Sequence, residues 1–278
     1  MSVKHRRPAF FYTELFSIPA ASGGILQTVS LTLENMPTPA ASLDLVQDLV
    51  DANRILFHQG VVDAFGHVSV RHDGDASRFL MSRSLAPALV THDDIVALAV
   101  DSGEAVAAPS PRLYLERYIH SQIYKARPDV MAVVHNHSPA VLPFTVARGA
   151  LLRPLCHMCG FLAGAGREGP AVFEIRDHAG DASDLLIRNP VLGAALAAEL
   201  GGDSVVLIRG HVCTVVGPSL RVAVYRAVYT ELNARLLLQA LALGEVTTLT
   251  AGEAEATRVT NEAQVDRPWG LWKQQAGL

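Results

Sequence analysis

Cysteine is scarce: the 278-residue chain has three. Three thiols cannot build a disulfide framework, so the sequence reads as a protein of a reducing, cytoplasmic compartment. Aromatic residues make up only 6%, and no apolar run approaches the roughly 20 residues that span a bilayer. The basic start, Met1 to Arg7, is followed by Pro8 and Glu14 rather than by an uninterrupted apolar stretch, so neither a secretory leader nor a membrane partner is expected. Surplus positive charge is missing too. Lys and Arg number 23 against 27 Asp and Glu, a net charge of −4, which speaks against a phosphate-neutralising nucleic-acid binder. What the chain does have is apolar mass. Half of it (50%) is hydrophobic and 18% is charged, a balance that excludes a disordered chain and supplies a substantial core.

Neither an internal repeat nor a low-complexity linker interrupts the sequence. Residues 1–40 lack a clear period and end in Pro37-Thr38-Pro39, so they are expected to form an N-terminal extension. Residues 41–278 are expected to form a single α/β domain. Ser42 is the expected N-cap of a helix carrying Leu45, Val46, Leu49, Ala52 and Leu56 at helical spacing. Two extended runs around Asp73-Gly74 predict a β-hairpin, and Ile95 to Val100 predicts a further strand. Pro111 is expected to open a helix through Arg127, with Leu115, Ile119 and Ile123 on one face and Glu116 in mid-helix, one turn before His120. Asn189-Pro190 and Gly201 bracket another helix, and Pro218 to Leu243 is the longest helical stretch.

The strongest local signal is His135-Asn136-His137, at the end of the short apolar run Met131 to Val134. On a strand, residues two apart face the same side, so both imidazoles project together. Neutral imidazole is the commonest metal ligand among ionisable side chains. Alone, a His-x-His is more often a pair of solvated side chains. His211 changes that balance, because it too follows a short Val-rich strand, Val205 to Ile208, and offers a third nitrogen. Three protein ligands with positions left open is how catalytic metal sites are built. Cys156-His157-Met158-Cys159 holds half of a zinc-ribbon pattern, but the chain has no second pair, so these thiols read as small buried side chains. Gly160 to Gly169 lacks the lysine of a P-loop and the acidic partner of a dinucleotide site.

Glu116, followed by His135-Asn136-His137 (135 − 116 = 19 residues on) and then by the strand leading to His211, resembles the class II aldolase/adducin family. Gly66-His67-Val68-Ser69 is similar to that family's Gly-Asn-Val-Ser loop. Arg127-Pro128-Asp129 followed by Ala132-Val133-Val134-His135 is similar to the Arg-Pro-Asp and Ala-Val-Val-His stretch of the fuculose phosphate aldolases. The resemblance covers Leu43 to Leu243. It implies a three-layer α/β fold, with a central, mostly antiparallel β-sheet flanked by helices, and a homotetramer with active sites between subunits. It also implies that His135, His137 and His211 hold one divalent ion per chain, Mn²⁺ or Zn²⁺ with Fe²⁺ also compatible. Glu116 is then the acid/base carboxylate. Such an ion acts as a Lewis acid on the oxygens of a hydroxy-ketone or similar group.

Departures from the family pattern narrow the substrate. Sugar-phosphate aldolases carry Ser-Ser before the catalytic Glu; this chain has Tyr114-Leu115, and Leu cannot donate to a phosphate. The family's usual His-Gly is His211-Val212 here, which leaves the shape of that loop open. Ser82-Arg83-Ser84 places a guanidinium between two hydroxyls, a group that suits a planar carboxylate, and Arg112 adds a second cation. Ser82 to Pro87, with Tyr114, Phe161-Leu162 and Asp266 to Trp269, resembles the subgroup acting on hydroxy-aryl carboxylates. The resemblance therefore implies a metal-dependent lyase of aromatic-compound catabolism, a decarboxylase whose partner is a hydroxylated pyridine or benzene carboxylate. Its expected substrate contacts are His67, Ser82, Arg83, Ser84 and Arg112, and its expected catalytic groups Glu116, His157 and Tyr229. The alternatives are an aldolase for a non-phosphorylated hydroxy-keto acid, a non-haem iron oxygenase, and an adducin-like interaction module without metal. Three intact imidazoles beside a Glu argue against the last.

Overall fold

The computed structural model describes residues 40–164 and 166–278, so the extension expected over residues 1–40 lies, save for its last residue, outside the described residues. Ser42 caps the first helix, α1 (Leu43–His58), by accepting the Leu45 N–H, one of the amides a helix start leaves unpaired. The hairpin strands β1 (His67–Arg71) and β2 (Arg78–Ser82) pair antiparallel around Asp73-Gly74, and β3 (Ile95–Ala99) adds to β2. Helix α2 (Arg117–Ala126) leads into β4 (Ala132–Asn136), followed by the short α3 (Leu142–Val146), β5 (Ala171–Phe173) and α4 (Arg176–Ala179). Asn189 caps α5 (Pro190–Leu200), and β6 (Val205–Ile208) with β7 (Val212–Gly217) precede the long α6 (Leu220–Leu243). Helices α7 (Ala251–Glu262) and α8 (Asp266–Gln275) follow.

The strands form one sheet in the order β3-β2-β1-β4-β7-β6-β5, antiparallel throughout except for the parallel β5–β6 pair. Helices cover both faces, which is why β4, β6 and β7 are buried along their whole length and why β6 and the start of β4 read as apolar runs. Alternate residues go to opposite layers. Ala132, Val134, Leu207 and Val215 join Leu49 and Ile55 of α1 and Val224 and Ala227 of α6. Val133, Val206 and Val216 join Ile119 and Ile123 of α2 and Leu196 and Leu200 of α5. Each such fully buried Val, Leu or Ile side chain contributes about 1.5–3 kcal/mol. The result is the three-layer α/β architecture that the sequence resemblance implies. No helix among the described residues is long and apolar enough to cross a membrane.

The helix expected from Pro111 starts six residues later. Residues 111–114 are non-helical because they are tied across the hairpin: Ser84 N–H donates to the Arg112 carbonyl at 2.8 Å, and the Tyr114 hydroxyl donates to the Leu85 carbonyl. Leu115 is consequently exposed rather than part of the buried face, and Glu116 is the N-cap residue of α2 rather than a mid-helix position.

Sheet pairing decides where the chemistry gathers. Both neighbours of β4 run antiparallel to it, so the starts of β1 and β7 meet the end of β4 at one rim of the sheet. His67 stands opposite His135, and Cys213 opposite Asn136.

Candidate active site

At that rim His211 Nε2 lies 3.3 Å from His135 Nε2 and 3.0 Å from His137 Nε2. Glu116 Oε2 stands 3.6 Å from His135 Nε2 and 3.5 Å from His211 Nε2. One ligand atom from each of the four residues falls within 4.8 Å of the others. A carbonyl only accepts, so His211 Nδ1, 2.9 Å from the Leu185 carbonyl oxygen, carries the ring hydrogen and Nε2 is a lone pair. His135 Nδ1 is held by Thr214 Oγ1 at 3.2 Å, which leaves its Nε2 free for the same centre. Burial first, then the neighbouring rings, hold His135 well below the ordinary imidazole value; burial and His211 also lower His137. Neutral rings are the form that coordinates metal. Three imidazole nitrogens converging on one point, with a carboxylate beside them, match the three-ligand set of a catalytic zinc-type ion.

Backbone strain surrounds His211. Among the described residues, the non-glycine positions with left-handed φ are Leu185 at 66° and Val212 at 133°. The first supplies the carbonyl that receives His211 Nδ1, and the second is the next residue in the chain. Val212 thus occupies the position of the family's usual glycine with a positive φ, a strain of order 1–3 kcal/mol held by its burial. Gly66, by contrast, has no substitute: at φ 95° an added Cβ would lie 2.6 Å from Val62 Cγ1, so glycine alone lets the chain turn and deliver His67.

Glu116 does not cap α2 with its side chain. Its Oε1 accepts the Ile187 N–H at 2.9 Å, which aims Oε2 at the histidines. Burial raises its pKa, and the opposing influence of His211 and the Ile187 amide does not cancel that effect.

The cluster opens into a cavity of about 380 Å³. Phe65, Leu85, Leu113, Leu115 and Leu186 supply apolar walls, and His67, Ser84, Arg112, Tyr114, Glu116, His137 and His211 the polar ones. Arg112 is its one Arg or Lys, and no described carboxylate pairs with it. A second cavity, of about 420 Å³, lies toward the opposite ends of β4 and β7. Its Arg127, Arg226 and Arg258 are already paired with Asp129, Glu262 and Glu255, so it offers no free cation.

Of the residues singled out in the sequence, His67, Ser84, Arg112, Glu116, His137 and His211 line the cavity, with His135 fully buried behind them. Ser82, Arg83, His157 and Tyr229 do not line it. Ser82 is buried and bonds the Tyr114 hydroxyl at 3.2 Å. Arg83 pairs with Asp94, its Nε 2.7 Å from Oδ1, while Arg112, the other cation expected at the site, does line the cavity. His157 is exposed on a 3-10 turn whose carbonyl accepts from Asn261 Nδ2 at 3.0 Å, and Tyr229 packs against Tyr225 and Trp272. Within their own chain both are committed to the α6–α8 side. Leu185 and Ile187, which orient the cluster, escape sequence reasoning because backbone carbonyl and amide partners leave no residue-type signal, and the hydroxyl of Thr214 does so because only strand pairing sets it opposite His135. Ser69, His120 and Tyr124 form a buried polar row behind His67. The i, i+2 spacing of His67 and Ser69 and the i, i+4 spacing of His120 and Tyr124 are the signals for it.

Comparison with known proteins agrees with this geometry. The class II aldolase and adducin N-terminal domain model matches residues 47–238. The chain is 40% identical over 248 residues to decarboxylase tropJ of Talaromyces stipitatus, covering 82% of this chain and 92% of the relative. It is 33% identical over 213 residues to a 3,4-dihydroxyphthalate decarboxylase of Terrabacter, covering 71% and 82%. Among solved structures, an L-fuculose 1-phosphate aldolase from Glaciozyma antarctica superposes with a TM-score of 0.67 at 23% identity, covering 87% of this chain and 95% of that one. The chain belongs to the class II aldolase and adducin family. Through its decarboxylase relatives it falls among the lyases of that family.

Proposed function

We propose that the chain is a divalent-metal-dependent carboxy-lyase that removes CO₂ from a hydroxylated aromatic carboxylate. One observation carries this reading: His137, His211 and Glu116, with His135 converging on them from behind, line a cavity that otherwise combines apolar side chains with His67, Ser84, Tyr114 and one unpaired cation, Arg112. The relatives named as dihydroxyphthalate decarboxylases support the same substrate class. His135, His137 and His211 would hold the ion, with Mn²⁺ and Zn²⁺ as the leading candidates, and the ion would supply Lewis-acid stabilisation of negative charge on substrate oxygens.

The side chains account for the rest. Arg112 binds a carboxylate that is retained, as a planar fork on a planar anion. Phe65, Leu85 and Leu186 flank the ring and exclude water. As the carboxyl carbon departs as CO₂, the electron pair of the broken C–C bond stays on the ring carbon, which then takes a proton. Glu116 is the donor: the Ile187 N–H on Oε1 leaves Oε2, beside the histidines, to carry the hydrogen. The homotetramer expected from the resemblance would let His157 and Tyr229 serve a neighbouring copy's cavity, since neither reaches its own; sedimentation analysis tests that assembly.

The purified chain is to be offered 3,4-dihydroxyphthalate and related ortho-hydroxylated aryl acids, with and without Mn²⁺, and CO₂ release measured. Release that a chelator stops is the expected result, and Arg112→Ala is expected to raise KM for a dicarboxylate about tenfold. Faster turnover of a sugar phosphate than of any aryl acid would contradict the proposal.

A further inference from the structure

Behind the cavity runs a row of four buried polar side chains to which the reaction above gives no task. His67 Nδ1 is 2.7 Å from His120 Nε2, His120 Nδ1 is 2.6 Å from Ser69 Oγ, and Ser69 Oγ is 2.8 Å from the Tyr124 hydroxyl. None is more than 4% exposed. His67 and Ser69 lie two apart on β1, on the face that meets α2, where His120 and Tyr124 lie one turn apart.

Each hydroxyl and each neutral ring has one hydrogen to give, so the row has two possible directions. In one, His67 donates to His120, His120 to Ser69 and Ser69 to Tyr124. The Tyr124 hydroxyl hydrogen then finds no acceptor among the described residues, a cost of roughly 1–3 kcal/mol for a buried donor. In the other, Tyr124 donates to Ser69, Ser69 to His120 Nδ1, and His120 Nε2–H to His67 Nδ1, and no hydrogen is stranded. His67 must then carry its own hydrogen on Nε2. That nitrogen has no partner among the described residues, and His67 lines the cavity. Burial, which lowers His120 to about 3, keeps the middle ring of the row neutral and so able both to accept and to donate.

We propose that Tyr124, Ser69 and His120 are a positioning relay that fixes His67 as a hydrogen-bond donor, its Nε2–H presented to a substrate oxygen on which negative charge grows. A donor held this way needs no reorganisation when the charge appears, and such donors typically contribute about 10²–10³-fold to kcat. His67 touches the substrate; His120, Ser69 and Tyr124 act through it. This inference rests on the decarboxylase reading for its kinetic consequence but not for the proton order.

The two parts are tested separately. Long-range ¹H–¹⁵N correlation spectra of the full chain labelled in its histidines, recorded with and without Zn²⁺, report which ring nitrogen bears hydrogen. The expected result is Nε2–H on both His67 and His120; hydrogen on Nδ1 of His67 would overturn the relay. With a turned-over aryl carboxylate, His120→Phe is expected to lower kcat about 10²-fold with KM changed less than about threefold. His120→Gln, whose amide oxygen accepts from Ser69 while its NH₂ donates to His67, is expected to recover most of that loss. Equal loss in both variants, with the spectrum of His67 unaltered, would overturn the positioning role. Absence of CO₂ release by the unaltered chain defeats the decarboxylase reading alone, because the spectra require no turnover.

Discussion

Thr214 has no place in the cavity wall, yet its hydroxyl holds His135 Nδ1 at 3.2 Å. Partners of this kind orient a ligand ring, and their loss typically costs about 10–100-fold in metal affinity. Thr214→Val keeps the shape and removes the hydroxyl. It is expected to weaken Zn²⁺ or Mn²⁺ binding by that factor, measured in competition with a chelator, while circular dichroism stays unchanged. Glu231 offers a second residue-scale test, outside the cavity lining. It is buried on α6, accepts the Ala140 N–H at 3.1 Å, and burial raises its pKa above the ordinary 4.5 in spite of that bond. A raised carboxyl pKa means that the folded chain holds the proton more tightly than the unfolded one. The resulting stability is fully present below the unfolded value and is lost as pH rises through the folded one. Glu231→Gln is therefore expected to gain stability over the parent at about pH 8 and to match it at about pH 5, as read from urea midpoints at both pH values. Parallel pH profiles would contradict this. Spacing on one strand makes His135 and His137 readable from sequence, and His211 is readable from its place after a short apolar strand and from the family resemblance. The pairing of Arg83 with Asp94 is not legible in the same way, because Asp94 comes from a separate loop that no local pattern connects to it.

At the scale of elements, α2 and α5 pack closely enough that only a glycine fits between them. An added Cβ at Gly193 would lie 2.4 Å from the Tyr118 carbonyl oxygen, which is helix backbone and cannot swing aside. In an isolated helix Gly→Ala stabilises by roughly 0.5–1 kcal/mol. Here overpacking prevails, and Gly193→Ala is expected to destabilise by about 1–3 kcal/mol. Because Glu116 is the N-cap residue of α2, kcat is expected to fall as well; a variant as stable and as active as the parent would show that the helices slide freely. The same region shows why one expected helix boundary is misplaced. Pro111 is a good first-turn residue, but the tie from Tyr114 to Leu85 keeps the chain extended as far as Tyr114. Short elements such as β5 depend on pairing with β6 and show little period of their own. Helix α7 is different: Thr250 and Glu253 form a reciprocal capping box, a signal present in the sequence itself.

For the molecule as a whole, the antiparallel order around β4 is what assembles distant segments into one centre. Residues 67, 116, 135, 137 and 211 meet because the starts of β1 and β7 and the end of β4 share a rim that the N-terminus of α2 overhangs. The layering and the largely antiparallel sheet follow from the family resemblance and from apolar runs buried on both faces. The strand order lies beyond sequence periodicity, since it depends on long-range pairing. The decisive determination is the divalent metal content of the purified chain and of His137→Ala after equal dialysis, by elemental analysis. About one ion per chain, removable by chelator, is expected for the parent, with a near-complete loss in the folded His137→Ala chain. Equal metal content in the two proteins, or none in the parent after metal addition, would contradict a metal centre built from these three histidines.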